Sequence, residues 1–215
     1  MTDRRSFDER AREWDDDPGK VRRAQAVAGA IPAGVPLPAG GRAPQIGGGT
    51  GLLSFALRDD LGHVVLADTS AGMLEVLAEK IATAGLEGVF EPRRLDLVAD
   101  PLPPERFDLV YSLMVLHHFA DPDAALARSR TVLRPGGWLC VADLDAEDGS
   151  FHGPDVDVFH GFDRDDLARR AAAVGLVDVR VSTAHVLSKQ IDGEDRAYPL
   201  FLLVGRADED GQAPG

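Results

Sequence analysis

The stretch Gln45-Ile46-Gly47-Gly48-Gly49-Thr50-Gly51 lies between an apolar run and a helical one, and its residue types suit the capture of a carboxylate or phosphate. Glycines let the chain turn tightly and bring its backbone against a ligand with no Cβ in the way. A helix that starts just after them points free N–H groups and the positive end of its dipole at the same place. A Walker loop ends in Gly-Lys-Ser/Thr, but Gly51 is followed by Leu52, so that reading fails. The dinucleotide pattern Gly-x-Gly-x-x-Gly fits Gly47 and Gly49, then meets Leu52 where a third glycine belongs. Gly-x-Gly-x-Gly reads through complete on Gly47, Gly49 and Gly51.

Two acidic residues fall in register with that loop. Asp68 ends an apolar run in Leu66-Ala67-Asp68-Thr69 and stands at the distance where an acid accepts hydrogen bonds from ribose hydroxyls. Asp96, in Arg94-Leu95-Asp96-Leu97, is placed to accept from the exocyclic amine of an adenine, while the next backbone N–H donates to a ring nitrogen. A dehydrogenase needs the first acid and not the second. An NAD-dependent oxidoreductase is therefore the weaker reading, and Leu52 weakens it further.

These residues need a frame that brings strand ends together. The hydrophobic pattern predicts two helices over 3–30, broken at Asp17-Pro18-Gly19, and a Gly/Pro-rich linker over 34–44. Strands and helices then alternate: strand 43–46, helix 52–61, strand 64–67, helix 71–84, strand 89–95, strand 107–111, helix 122–133 and strand 138–144. This rhythm predicts an α/β fold, a doubly wound parallel sheet with helices on both faces. Asp163 opens a helix to Val174, and the β-rich runs 177–186 and 198–204 follow with no helix between them, so they should pair antiparallel.

Composition bounds the function. The 215 residues carry 23 basic and 36 acidic side chains, a net charge of -13 that repels phosphate backbones and argues against nucleic acid as partner. No apolar run approaches a membrane span, and the charged start is unlike a secretory signal, so no membrane partner is expected. Cys140 is the one cysteine, which excludes an internal disulfide and a thiolate metal site and suits a cytoplasmic setting. Nothing in the composition bears on oligomeric state.

Several further stretches accompany the glycine loop: Asp68-Thr69-Ser70-Ala71-Gly72-Met73-Leu74, Leu95-Asp96-Leu97, Phe107-Asp108-Leu109-Val110-Tyr111-Ser112, Leu116-His117-His118-Phe119 and Leu133-Arg134-Pro135-Gly136-Gly137. With them the chain resembles the class I S-adenosylmethionine-dependent methyltransferases, in the branch of the ubiquinone and menaquinone C-methyltransferases. The resemblance implies a Rossmann-like, seven-stranded, mostly parallel sheet with an antiparallel C-terminal strand, and S-adenosyl-L-methionine as cofactor. It implies that Gly47, Gly48 and Gly49 hold the methionine part, Asp68 the ribose, Thr69 and Met73 flank the adenosine, Asp96 and Leu97 read the adenine, and Ser112 and Leu113 pass the sulfonium. Phe7 to Asp15 is similar to a lid helix of many members, which would bring Trp14 over the cofactor. The implied organisation is a helical lid over 1–33, a cofactor-binding domain over 34–206 with a lid loop at 145–162, and a flexible tail over 207–215.

Gln45 departs from this pattern, because the family has Glu or Asp there to offset the cofactor's ammonium. Hydrogen bonds to charged partners are worth about 1.5–3 kcal/mol against about 1 for neutral ones, so Gln45 should weaken cofactor binding roughly tenfold. His117 and His118 fall just past the fourth strand, where a base is needed if the acceptor must lose a proton. His152 and His160 lack the i, i+4 spacing of a helical ligand pair, and no metal is expected. The expected activity is methyl transfer to a small-molecule acceptor. The alternative, kept alive by Gln45, is a catalytically silent domain that binds the cofactor or a nucleotide as a sensor or partner.

Overall fold

The computed structural model describes residues 4–37, 40–153 and 156–208. The expected tail beyond 208, and residues 154–155 of the expected lid loop, lie outside them. A helix α1 (Arg4–Arg10) runs into a 3-10 turn (Ala11–Asp16) and then α2 (Pro18–Gly34). Asp17 caps α2 by accepting from the Gly19 and Lys20 N–H groups, and Pro18 sits at the first helical position, where its missing N–H costs nothing. Pro32 falls in the last turn, and the helix runs on to Gly34, past the expected end at residue 30.

Seven strands form one sheet in the order β3-β2-β1-β4-β5-β7-β6. They are β1 (Arg42–Ile46), β2 (His63–Asp68), β3 (Phe90–Arg94), β4 (Phe107–Leu113), β5 (Leu133–Leu144), β6 (Leu176–Ile191) and β7 (Glu194–Ala207). All neighbours among β1 to β5 are parallel, and β7 is antiparallel to both β5 and β6. The doubly wound, mostly parallel sheet with an antiparallel C-terminal strand is thus the fold observed.

The helices α3 (Leu52–Ala56), α4 (Ala71–Ala84), α5 (Pro122–Val132) and α6 (Arg164–Ala173) link the strands. Ser70, Asp121 and Asp163 cap the last three by accepting from the N–H groups of Met73, Ala124 and Asp166. Alternate strand residues feed opposite cores. Val64 and Leu66 join α2, α3 and α4 on one face, whereas Val65 and Ala67 join α5 and α6 on the other.

Further boundaries differ from expectation. α3 stops at Ala56 rather than residue 61, where the chain turns back through an Asp60 N–H to Leu57 carbonyl bond. β5 starts at Leu133, not 138: Leu133 already pairs with Phe107, and a register shift absorbs Pro135-Gly136-Gly137. The β6–β7 hairpin is longer at its tip than the two runs suggested and overshoots the end of β5. There Leu144, Tyr198 and Leu200 form a third, small apolar cluster with Phe151, Leu187 and Ile191. Among the described residues no helix is long and apolar enough to cross a membrane.

Candidate active site

Strand order reverses between β1 and β4, and in open α/β sheets a crevice forms outside the carboxyl ends of the strands at such a point. Gly47 to Gly51 fill that position. Gly47, Gly49 and Gly51 have φ of 61°, 53° and 85°, the left-handed region that glycine enters freely. The loop is tied to β2 twice. The Gly48 N–H donates to the Ala67 carbonyl at 2.9 Å, and the Gly49 N–H donates to Asp68 Oδ2 at 2.8 Å. Asp68 Oδ1 accepts from the Ser70 N–H at 2.9 Å, so one carboxylate joins the glycine loop to the start of α4. Burial pushes the Asp68 carboxyl above its ordinary range, against the backbone N–H groups of Ser70, Gly49 and Thr69.

The second acid lies beside the first. Arg94 pairs with Asp68 across β3 and β2, and the Leu95 N–H donates to the Asp68 carbonyl, which brings Asp96 to the same end of the sheet. Asp96 Oδ1 accepts from the Val98 and Ala99 N–H groups at 3.0 Å, and the Leu97 side chain is buried in the α5–α6 core. Met73 is also buried, with its sulfur 4.0 Å from where a Gly49 Cβ would stand, and so it packs under the loop. Thr69 is half-buried next to Asp68. Ser112 pairs with Ile46 and is buried, and Leu113 ends β4 beside it. Gln45 is 3% exposed, and its Oε1 accepts from the Ser54 hydroxyl at 2.5 Å, which in turn lies 2.6 Å from the Tyr111 hydroxyl.

The amino-terminal segment straps across this end of the sheet. Asp8 accepts from the Ser70 hydroxyl and from the Gly72 N–H at 2.9 Å. Asp15 accepts from the Thr50 hydroxyl at 2.5 Å and from Lys80 Nζ at 2.5 Å, and Lys80 also reaches the Thr50 carbonyl. Trp14 is half-buried within the strap, 5.8 Å from the Phe7 ring and under Lys20 Nζ at 4.0 Å. The spacing of residues 7–15 gives no hint of the Asp8 and Asp15 contacts, because every hydrogen-bond partner of those two side chains is at least 35 residues away.

His117 and His118 sit on a 3-10 turn just after β4. His117 is 1% exposed, with Nδ1 2.6 Å from Asp143 Oδ1 near the end of β5. Its backbone N–H donates to Asp143 Oδ2 at 3.2 Å. Burial alone would raise the Asp143 carboxyl, but His117 and the Leu144 N–H hold it below its ordinary range. The His118 ring lies 4.1 Å from that of His117, and the His152 ring, from the loop after β5, lies tilted 4.8 Å from His117. Phe7 covers His118 at 5.6 Å, and Phe151 covers His152 at 4.9 Å. No group of described residues is arranged to hold a metal ion. Sequence reasoning passed over Asp143, whose signal was a carboxylate inside the apolar run Val141-Ala142-Asp143-Leu144.

Burial, with His117 beside it, pulls His118 down to about 3 and His152 to about 4. Both rings therefore stay neutral in the folded chain where an unfolded histidine, with its ordinary value of about 6.5, takes up a proton. The unfolded state binds more protons as pH falls below about 6.5, so stability should fall from there through about 4 and level off near 3. Thermal melts across that range test this, and His118→Gln with His152→Gln should flatten the fall. The lowered Asp143 and Asp8 act only below the ordinary carboxylate value of 3.8, outside most of that window.

A family profile described as a methyltransferase domain matches residues 45–141. The chain is 34% identical over 126 residues to the ubiquinone/menaquinone biosynthesis C-methyltransferase UbiE of Xanthomonas oryzae, covering 57% of this chain and 49% of that protein. It thus spans about half the length of the curated relatives it matches. Among solved structures, a SAM-dependent methyltransferase of Thermotoga maritima superposes with a TM-score of 0.69 at 20% identity, covering 94% of this chain and 98% of that one. The [4+2]-cyclase SpnF superposes with a TM-score of 0.68 at 16% identity, covering 86% and 80%. These two structures bear on the fold alone.

Proposed function

We propose that this chain, whose residues 45–141 match a methyltransferase-domain profile, is a class I methyltransferase that binds S-adenosyl-L-methionine and transfers the methyl group to a small-molecule acceptor. The observation that carries the reading is Asp68, a half-buried carboxylate braced by the Gly49 and Ser70 N–H groups beside a positive-φ glycine turn at the point of strand reversal. The residues fit the cofactor. Gly47 and Gly49 turn the loop through left-handed backbone at the mouth of the crevice, Asp68 offers charged acceptors to ribose hydroxyls, and Asp96 with Leu97 follows the neighbouring strand.

When bound, the cofactor supplies an electrophilic methyl on a sulfonium whose leaving group is neutral. In this reading Gly47, Gly48 and Gly49 take the methionine part, Thr69 and Met73 flank the adenosine, Ser112 and Leu113 pass the reacting centre, and Trp14 closes from the strap. His117 and His118 stand on the acceptor side. Holding the two reactants in line supplies much of the rate in such a displacement. A quinone precursor, the acceptor class in the relatives' name, is the first to assay, in a cytoplasmic setting.

The test is calorimetry with S-adenosylmethionine, followed by release of S-adenosylhomocysteine on a panel of acceptors led by phenolic quinone precursors. A chain that shows no binding removes the reading. Gln45 favours the second reading, a silent binder, because it brings no charge to the cofactor's ammonium. Gln45→Glu would keep the acceptor for Ser54 and add the charge, so it should tighten cofactor binding about tenfold. An unchanged or weaker dissociation constant in that variant refutes this account of the position.

A further inference from the structure

Three imidazole nitrogens of one ring cluster, His117 Nε2, His118 Nδ1 and His152 Nε2, are buried and have no hydrogen-bond partner, as are Arg23 Nε on α2 and Glu147 Oε1 in the loop that carries His152. Buried polar groups are ordinarily satisfied, so a cluster of exceptions calls for a ligand's polar atoms. The cluster is also asymmetric. His117 is the one imidazole with a carboxylate on its far nitrogen, and both side chains of that pair are fully buried. A proton fixed on Nδ1 by Asp143 leaves the Nε2 lone pair pointing away from it. This is the arrangement in which an aspartate sets the tautomer of a base and steadies its cation. Arg23, on α2, is drawn in deeply enough for burial to lower its pKa, and it feels the charges of Asp17 and Asp143.

The geometry points to Asp143 as the positioning residue that makes His117 the base, with Arg23 holding the charge of an acceptor that gives up an O–H proton. This rests on the methyl-transfer reading above. The acceptor's hydroxyl proton passes to His117 Nε2, its electron pair forms the new bond to the methyl carbon, and the carbon–sulfur bond breaks to leave a neutral thioether. An ammonium acceptor fits badly, because it would meet Arg23 and would find Asp143 already engaged with His117. His118 and His152, held neutral, add hydrogen-bonding capacity without a competing charge.

Long-range proton–nitrogen spectra of histidine-labelled wild-type protein read the His117 tautomer with no substitution. A proton on Nδ1 is expected, and a proton on Nε2 overturns the proposal. Asp143→Asn should lose that single tautomer while its dissociation constant for S-adenosylmethionine stays within about twofold. An unchanged tautomer there also overturns it. In the presence of S-adenosylhomocysteine, 4-nitrophenol should bind wild-type protein as the coloured phenolate at a pH where the free phenol is protonated. Its dissociation constant should rise about tenfold or more in Arg23→Met and in Asp143→Asn. No binding to wild type, or binding in either variant as tight as in wild type, removes the acidic-hydroxyl acceptor. Failure of wild-type protein to bind S-adenosylmethionine strikes instead at the methyl-transfer reading, whatever the tautomer.

Discussion

Asp68→Asn is expected to weaken binding of S-adenosylmethionine by roughly 30- to 1000-fold, the largest loss from any isosteric change in this chain. The carboxylate uses both oxygens on backbone donors, Oδ2 on Gly49 and Oδ1 on Ser70. An asparagine has one acceptor oxygen, so whichever way it turns, its amide group faces one of those N–H groups. Either the glycine loop or the start of α4 then loses its brace. The ribose also loses a charged acceptor, worth about 1.5–3 kcal/mol, and the lost brace adds about 1. Calorimetry measures the total, and an affinity within about threefold of wild type would remove Asp68 from the cofactor site.

Gly47→Ala should be nearly as severe by a different route. Its φ of 61° is strained for any residue with a Cβ, and that Cβ would stand 2.4 Å and 2.7 Å from the two Val115 methyls. Val115 is β-branched and has little freedom to rotate away. Left-handed strain of about 1–2 kcal/mol and overpacking of about 1–3 add to a stability loss of about 2–5, and the loop must shift from its place beside Asp68. Cofactor binding should fall about 100-fold or more, and Val115→Ala in the same chain should restore part of the stability. Gly85→Ala is the control. It has φ of 65° and nothing within 4 Å of a new Cβ, so it should cost about 1 kcal/mol and leave binding alone. Equal binding losses in the two variants would mean that backbone strain, and not Val115, is the cause.

Local chemistry made much of the frame legible in the chain. Asp163 announces a helix start, and the apolar spacing of Met73, Leu77 and Ile81 gives α4 the bounds it has. The same local rules misplace the start of β5. Pro135-Gly136-Gly137 reads as a turn in isolation, while the pairing of Leu133 with Phe107 draws it into the sheet. The site divides along the same line. The glycine loop and its two aspartates are motif residues, set by what a strand end must do. The strap contacts of Asp8 and Asp15 join residues 35 to 65 positions apart, and no periodicity encodes them. Asp143 and Arg23 belong to no motif and stand out only once their surroundings are known.

The overshooting β6–β7 hairpin has its own apolar knot, separate from the two cores that flank the sheet. Because that knot touches the rest of the sheet through Leu144 at the end of β5 and Met114 just past β4, changes at the hairpin tip beyond them leave the cradle at β1 and β2 as it is. Phe151, whose ring also covers His152, is pinned between Tyr198 and Lys189 of that tip. The molecule therefore divides into a glycine-loop half resting on the two large cores and a hairpin rim whose tip rests on a small cluster of its own.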